Sequence, residues 1–195
     1  MTVLYSERES VGTKAQFVTL TQQTDDNRQV VIGSDRPLNV VDVNHQRLHE
    51  GRAYGAYNIR THANMLPAGE SISIVLASAP GVSPHLSIGE SSSGDALFEF
   101  YENTVSTGGT AFTPIARNRV STNTSDVAMV LNPTITTAGT LLWTENIIGG
   151  VGKKSSGGSG ETLEYFLKPL TNYMIRVTNV NSADHTAFIG LEWYE

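Results

Sequence analysis

From Arg52 onward, short runs of β-forming residues alternate with turn-forming Gly, Ser, Pro and Asn. Large apolar side chains recur at every second position in residues 71–76 (Ile72, Ile74, Leu76) and 96–102 (Phe98, Phe100), which is the pattern of a strand with one buried face. Strands are predicted over residues 53–60, 70–77, 84–88, 96–103, 126–131, 139–145, 161–168, 172–180 and 186–194. Such a chain buries its apolar faces by packing one sheet on another.

The number and spacing of these runs predict an all-β, jelly-roll-like β-sandwich. An immunoglobulin-like sandwich is the nearest alternative, and an intertwined fibre domain is disfavoured because the sequence contains no internal repeat. No window combines helical spacing of apolar residues with caps, so any helix is expected to be a single turn. Residues 104–125 are predicted to form a long, mostly polar loop.

Residues 1–44 differ from the rest of the chain. They contain short extended stretches divided by polar segments, and no sustained period that would give them a core. We therefore predict an extended N-terminal arm over residues 1–44 and a β-sandwich domain over residues 45–195. Partner contacts are predicted at apolar anchors and arginines in or next to the arm, namely Phe17, Leu20, Arg28, Val30, Ile32, Arg36 and Arg47.

Charge and residue usage argue against several classes of function. The net charge of −6 lies wholly in residues 63–195, and an acidic body repels phosphate backbones, so no nucleic-acid partner is expected. The absence of cysteine excludes a disulfide framework, a Cys-type zinc site and a thiol nucleophile. Neither a signal peptide nor a membrane-spanning apolar run is visible, so we expect a soluble protein made in a cytoplasm.

Two segments resemble ligand sites only in part. His45 and His49 are four residues apart, a spacing that would place both imidazoles on one metal ion if the segment were helical. Gly51 and the strand-like sequence on both sides argue against a helix, and in a strand or turn the two side chains need not converge, so no metal site is predicted. The glycine-rich segment 149–160 lacks the Ser or Thr that a phosphate-binding loop needs after Gly152-Lys153.

The remaining candidate catalytic groups have structural explanations. Asp184 and His185 lie in a predicted turn without a nucleophile elbow. Two carboxylates could in principle form a glycosidase pair. The candidates are predicted to lie at outward, solvated strand positions, and they are Glu99, Glu102, Glu161 and Glu164. Aromatic side chains that could stack on sugars are expected to pack in or beside the core, at Tyr101, Trp143, Trp193 and Tyr194. The chain is therefore predicted to be non-enzymatic and to use no cofactor.

Two local motifs resemble virion structural proteins of tailed bacteriophages. His49-Glu50-Gly51 and the following Tyr54 match a segment HHE(V/I)HEG(K/S)-aromatic, with Asn44-His45 where these proteins often have a second His pair. Residues 167–179 have the pattern Leu-Lys-x-x-Thr-x-Tyr-x-Ile-Arg-Val-Thr-Asn, and this run and the closing Trp-Tyr-Glu are also similar to that group. The resemblance covers about residues 38–195.

The resemblance implies a capsid decoration (cement) protein on the virion surface, or a related head-associated protein, without catalytic residues. Its partners would be the major capsid protein and further copies of itself, with a homotrimer favoured. The resemblance implies no membrane partner. An extended arm can add a strand to a partner's sheet, and an arm of this length spans tens of Å at roughly 3.3 Å per residue. The alternative is a carbohydrate- or receptor-binding module of a head fibre or tail.

Overall fold

A computed structural model describes residues 3–6, 17–20, 43–149 and 164–195. The chain divides into two units, Met1–Asp42 and Val43–Glu195. In the first unit, β1 (Val3–Ser6) and β2 (Phe17–Leu20) pair antiparallel, with Val3 opposite Leu20. The sequence predicts extended backbone at both places, but it does not predict that the two stretches pair with each other.

The described residues of the second unit form one helix, two large antiparallel sheets and one two-stranded sheet. The helix α1 spans Val43–His49. The strands are β3 (Ala53–Arg60), β4 (Ser71–Ser78), β5 (His85–Ser92), β6 (Ala96–Glu102), β7 (Val105–Thr107), β8 (Thr110–Phe112), β9 (Ile115–Ala116), β10 (Val127–Leu131), β11 (Thr134–Thr137), β12 (Thr140–Ile147), β13 (Glu164–Phe166), β14 (Asn172–Asn179) and β15 (Ala187–Tyr194). Each predicted strand has a counterpart among these, although residues 161–163 of the predicted strand 161–168 lie outside the described residues.

The strand order is that of a jelly roll with an insertion. The larger sheet has the order β12-β6-β14-β4-β10-β8, and the smaller sheet has the order β13-β5-β15-β3-β9. Leaving out β7 to β11, the chain changes sheet at every connection except that from β6 to β12, which are neighbours. The predicted all-β, jelly-roll-like sandwich is thus confirmed, and strands β7 to β11 are inserted between β6 and β12.

Alternation along the strands decides which side chains enter the core between the sheets. Ile72, Ile74 and Leu76 of β4 are fully buried, and so are Ile189 and Leu191 of β15 in the opposite sheet. A shift of register by one residue would turn every one of these side chains to the other face. The burial of both inner faces therefore specifies the pairing of the strands.

Asn58 and Asn132 join the two sheets through hydrogen bonds. The Asn58 amide nitrogen, in β3, donates to the Ser73 carbonyl oxygen of β4 and to Asn132 Oδ1, both at 2.9 Å. The Ser73 backbone N–H also donates to Asn132 Oδ1 at 2.9 Å. Asn132 has a φ of 48°, a left-handed conformation that Asn tolerates better than most residues. This Asn58–Asn132 bridge satisfies buried polar groups where the sheets meet.

The helix α1 corrects the prediction that residues 45–50 form a strand or turn and not a helix. Gly51 follows it with a φ of 72°, and its N–H donates to the Leu48 carbonyl at 3.1 Å while the Arg52 N–H donates to the Arg47 carbonyl at 2.9 Å. These two bonds and the left-handed glycine form a Schellman motif, which ends helices. The glycine that argued against a helix is its stop signal, and seven residues exceed the predicted single turn.

The stretch 104–125 also differs from its prediction as a loop, since it contains β7, β8 and β9. Gly108 and Gly109, with φ of 67° and 87°, connect β7 to β8, which lie in different sheets. No helix within the described residues is long and apolar enough to cross a membrane.

Candidate interaction surfaces

Strand β12 is the long open edge of the larger sheet. It pairs with β6 from Thr140 opposite Glu102 to Ile147 opposite Ala96, and it has no second neighbour among the described residues. The other edges of the two large sheets are β8, β9 and β13, which contain three, two and three residues. Short edge strands leave little backbone for another chain to pair with. The eight residues of β12 therefore offer the most extensive unpaired backbone of these four edges.

Apolar side chains accompany this open backbone. Leu141, Leu142 and Trp143 are 48%, 41% and 41% exposed, and a register shift between Leu141 and Trp143 marks a bulge. The strand has neither Lys nor Pro, the residues that most often protect a free edge, and Glu145 is its one charged residue. We call residues 140–147 the β12 edge. Its combination of free backbone and large apolar side chains is typical of a protein-binding surface.

A shallow groove lies on the outer face of the smaller sheet. Its floor contains Gly55, Gly89 and Gly190, because Gly190 of β15 pairs with Gly89 of β5 and Glu192 pairs with Gly55 of β3. The groove has a volume of about 520 Å³. A Cβ atom at Gly55 or Gly89 would meet nothing closer than a backbone oxygen at 3.5 Å, so the floor is open to a ligand.

Aromatic and charged side chains border this sheet groove. Tyr57 is exposed, and the Phe188 ring lies over Gly190, where an added Cβ would meet the ring at 2.6 Å. On the same lining, Arg117 donates to Glu192 at 2.9 Å. The groove therefore offers a flat apolar surface next to hydrogen-bonding groups, although the exposed ion pair itself contributes little to stability.

The carboxylate of Glu99 is part of a buried network. It is 9% exposed, it accepts a hydrogen bond from Tyr101 at 2.5 Å, and it forms an ion pair with Arg176 at 2.7 Å. Burial, and then the hydrogen bond to Glu99, raise the pKa of the Tyr101 hydroxyl. The prediction that Glu99 is solvated is wrong, because the outer face of the larger sheet is itself covered at this point.

Glu102 is held in a similar way. Lys168 donates to its Oε1 at 2.8 Å and the Tyr173 hydroxyl donates to its Oε2 at 2.9 Å. The hydrogen bond from Lys168 holds the pKa of Glu102 below its usual 4.5. A general acid needs a raised pKa, so the pairing of Glu102 with Lys168 does not suit that role, and the Glu99 carboxylate is held in its ion pair with Arg176.

The helix α1 carries the two histidines with the metal-ligand spacing. The Nε2 atoms of His45 and His49 are 3.0 Å apart, and both side chains are exposed. Arg47, on the same helix, forms an ion pair with Glu50 at 3.1 Å. Within the part of the chain that the structure describes, no group of three or more His, Asp or Glu side chains is placed to hold a metal ion.

The residues predicted to bind partners are only partly within the described residues. Phe17 and Leu20 lie in β2, and Arg47 lies in α1. The other four, Arg28, Val30, Ile32 and Arg36, lie outside the described residues. Sequence reasoning did not single out the β12 edge or the sheet groove. The run of three apolar residues at 141–143, which interrupts the alternation, was the available signal for the edge.

The aromatic residues that the sequence analysis considered for stacking on sugars lie in different environments. Trp193 is buried and stacks on Tyr54 with ring centroids 5.9 Å apart, while Tyr194 stacks on His85. The prediction of packing in or beside the core holds for these two, whereas Trp143 lies exposed on the β12 edge.

No protein-family model matches the chain, and no curated protein is significantly similar to it.

Proposed function

We propose that this chain is a non-enzymatic structural protein of a tailed-phage virion. In this proposal it is a capsid decoration (cement) protein that binds the major capsid protein at the outer surface of the shell, as a homo-oligomer for which a trimer is favoured. The β12 edge is the observation that carries the role of binding other subunits. The resemblance of residues 167–179 and of the closing Trp-Tyr-Glu to virion proteins supports the assignment to a phage particle.

Strand addition is the mode of binding that the β12 edge favours. An extended segment of the capsid protein pairs with the outward-facing N–H and C=O groups of β12, and these main-chain bonds supply affinity. Leu141, Leu142 and Trp143 then pack against side chains of the added strand and select its register. Trp is among the residues that most often dominate binding energy in interfaces.

Oligomerisation strengthens such contacts. One edge of eight residues buries little area, but several edges held on one oligomer bind neighbouring capsid subunits together. Once the first edge is bound, the others bind at a high effective concentration, and the combined affinity exceeds that of one site by roughly 10²–10⁴. A protein that links capsid subunits in this way stabilises the shell by mass action.

Co-sedimentation with capsid shells tests the proposal. Purified full-length protein is mixed with shells that lack it, from the phage that encodes the chain, and the bound fraction is measured against concentration. Trp143→Ala is expected to weaken binding about 30-fold, because truncating an interface tryptophan costs about 2 kcal/mol. Val120→Ala is the matched control, since Val120 is 91% exposed and lies outside the β12 edge.

Two results would count against the proposal. One is failure of the wild-type protein to sediment with shells, and the other is equal binding by Trp143→Ala and the wild type. Circular dichroism and thermal melting of both variants show whether a loss of binding comes from unfolding.

A second candidate function, a glycan-binding module of a head fibre or tail, is favoured by the sheet groove. The face of Tyr57 could stack on a sugar ring, and Arg117 and Glu192 could bond its hydroxyl groups. Gly89→Val would fill the floor without straining the backbone, because the φ of Gly89 is not in the left-handed region. We expect glycan-array binding that this variant abolishes, and an array without signal for the wild type excludes this candidate.

A further inference from the structure

We propose that His45 and His49 form a surface chelate for a borderline divalent transition-metal ion, with Cu²⁺ bound most tightly and Ni²⁺ and Zn²⁺ more weakly. This inference does not depend on the proposed function. The prediction that the chain has no metal site depended on the absence of a helix at residues 45–50, and α1 removes that premise.

The distance between the two nitrogens fits shared coordination. Imidazole nitrogens bind these metals at about 2.0–2.1 Å. An ion at that distance from two Nε2 atoms that are 3.0 Å apart subtends an N–metal–N angle of about 91–97°. Square-planar and octahedral sites have neighbouring ligands at 90°, which is the geometry preferred by Cu²⁺ and Ni²⁺. The order of affinities for nitrogen ligands also places Cu²⁺ above Zn²⁺.

The helix that carries the pair is fixed at its C-terminal end. The side-chain amide of Asn118 donates to the His49 carbonyl at 3.2 Å, and that of Asn123 donates to the Glu50 and Gly51 carbonyls at 3.1 and 3.3 Å. With the Schellman motif at Gly51, these bonds hold the last turn against the segment 118–123. The second imidazole is therefore already in position when the first one binds, which lowers the entropic cost of chelation.

Both rings are exposed, so a metal ion can reach the pair from solution. The rings meet at 75° with their centroids 4.5 Å apart. Without metal, this geometry allows one neutral imidazole to donate a single hydrogen bond from Nε2 to the other. A metal ion displaces that proton and binds to one side of the line joining the two nitrogens, with both rings turned toward it.

Calorimetric titration of CuCl₂ into tag-free full-length protein tests the chelate, with glycine in the buffer to compete for weak sites. We expect one Cu²⁺ per chain, and an electron paramagnetic resonance spectrum showing two nitrogen ligands. His45→Ala and His49→Ala are each expected to weaken binding ~10-fold or more, because the second bond to a chelated ion forms intramolecularly. His62→Ala, which removes another exposed histidine, should bind as the wild type does.

The proposal also predicts that saturating Cu²⁺ raises the melting temperature of the wild type and of His62→Ala, but not that of His49→Ala. Equal Cu²⁺ affinities for the wild type and His49→Ala would overturn it. Loss of binding in His62→Ala, or a spectrum without two nitrogen ligands, would overturn it as well. Circular dichroism confirms that each variant is folded before it is titrated.

Discussion

The Asn58–Asn132 bridge should make a measurable contribution to stability, and Asn132→Ala is the change that isolates it. The substitution removes the oxygen that accepts hydrogen bonds from the Asn58 amide and the Ser73 N–H, both at 2.9 Å. Each of these bonds contributes about 1 kcal/mol net. Alanine at a φ of 48° adds about 1 kcal/mol of strain. The free energy of unfolding should therefore fall by about 3 kcal/mol.

Asn132→Gly separates the two causes. Glycine loses the same two hydrogen bonds but adopts a positive φ without strain, so this variant should be about 1 kcal/mol more stable than Asn132→Ala. Urea unfolding followed by tryptophan fluorescence measures both free energies, with the buried Trp193 as a reporter. The melting temperature of Asn132→Ala should fall by roughly 6–12 °C, at 2–4 °C per kcal/mol for a chain of this size.

Two outcomes would refute this reasoning. If Asn132→Ala unfolds within 0.5 kcal/mol of the wild type, at the level of an ordinary surface substitution, the bridge does not stabilise the contact between the sheets. If Asn132→Ala is as stable as Asn132→Gly, the left-handed backbone at this position carries no strain.

Gly139→Ala should destabilise the protein severely, because the added Cβ would overlap the Glu102 carbonyl oxygen. Gly69 has a φ of 77° and open space around it, so Gly69→Ala should lower the free energy of unfolding by only about 1 kcal/mol. Comparing the melting temperatures of the two variants checks this difference. Lys168→Met should reduce stability at neutral pH but not in strong acid. The depressed pKa of Glu102 means that its pairing with Lys168 stabilises the fold above the usual pKa of 4.5 and is lost as the pH falls through the folded value. Melting temperatures across this range should converge as the pH falls, and a constant gap would contradict the assignment.

The strands could be predicted because strict alternation is a local signal. Residues 53–60 were predicted as a strand with the same limits that β3 has, and 96–103 differs from β6 by one residue. Which strands pair depends on contacts between residues far apart in sequence. Phe100, for example, lies between Trp143 and Ile175. The open position of β12 follows from that long-range order, so its run of three apolar residues did not by itself indicate an edge.

The helix and the sheet groove were missed for different physical reasons. A helix of two turns is too short to show a hydrophobic period, and its stop signal at Gly51 also suits a turn between strands. Gly55, Gly89 and Gly190 are far apart in the sequence, and each alone is only a weak point in a strand. They form one floor because β15 pairs with both β3 and β5, and the sequence contains no local signal for that pairing.

Hydrogen exchange of the full-length protein, free and bound to capsid shells, tests most directly whether β12 is the binding edge. In the free protein, the amides of β12 that point away from β6 should exchange quickly, because they have no partner strand among the described residues. On shells, residues 140–147 should become protected, while the central strand β15 of the smaller sheet exchanges as before. Unchanged exchange at 140–147 in protein that is firmly bound to shells would contradict strand addition at this edge.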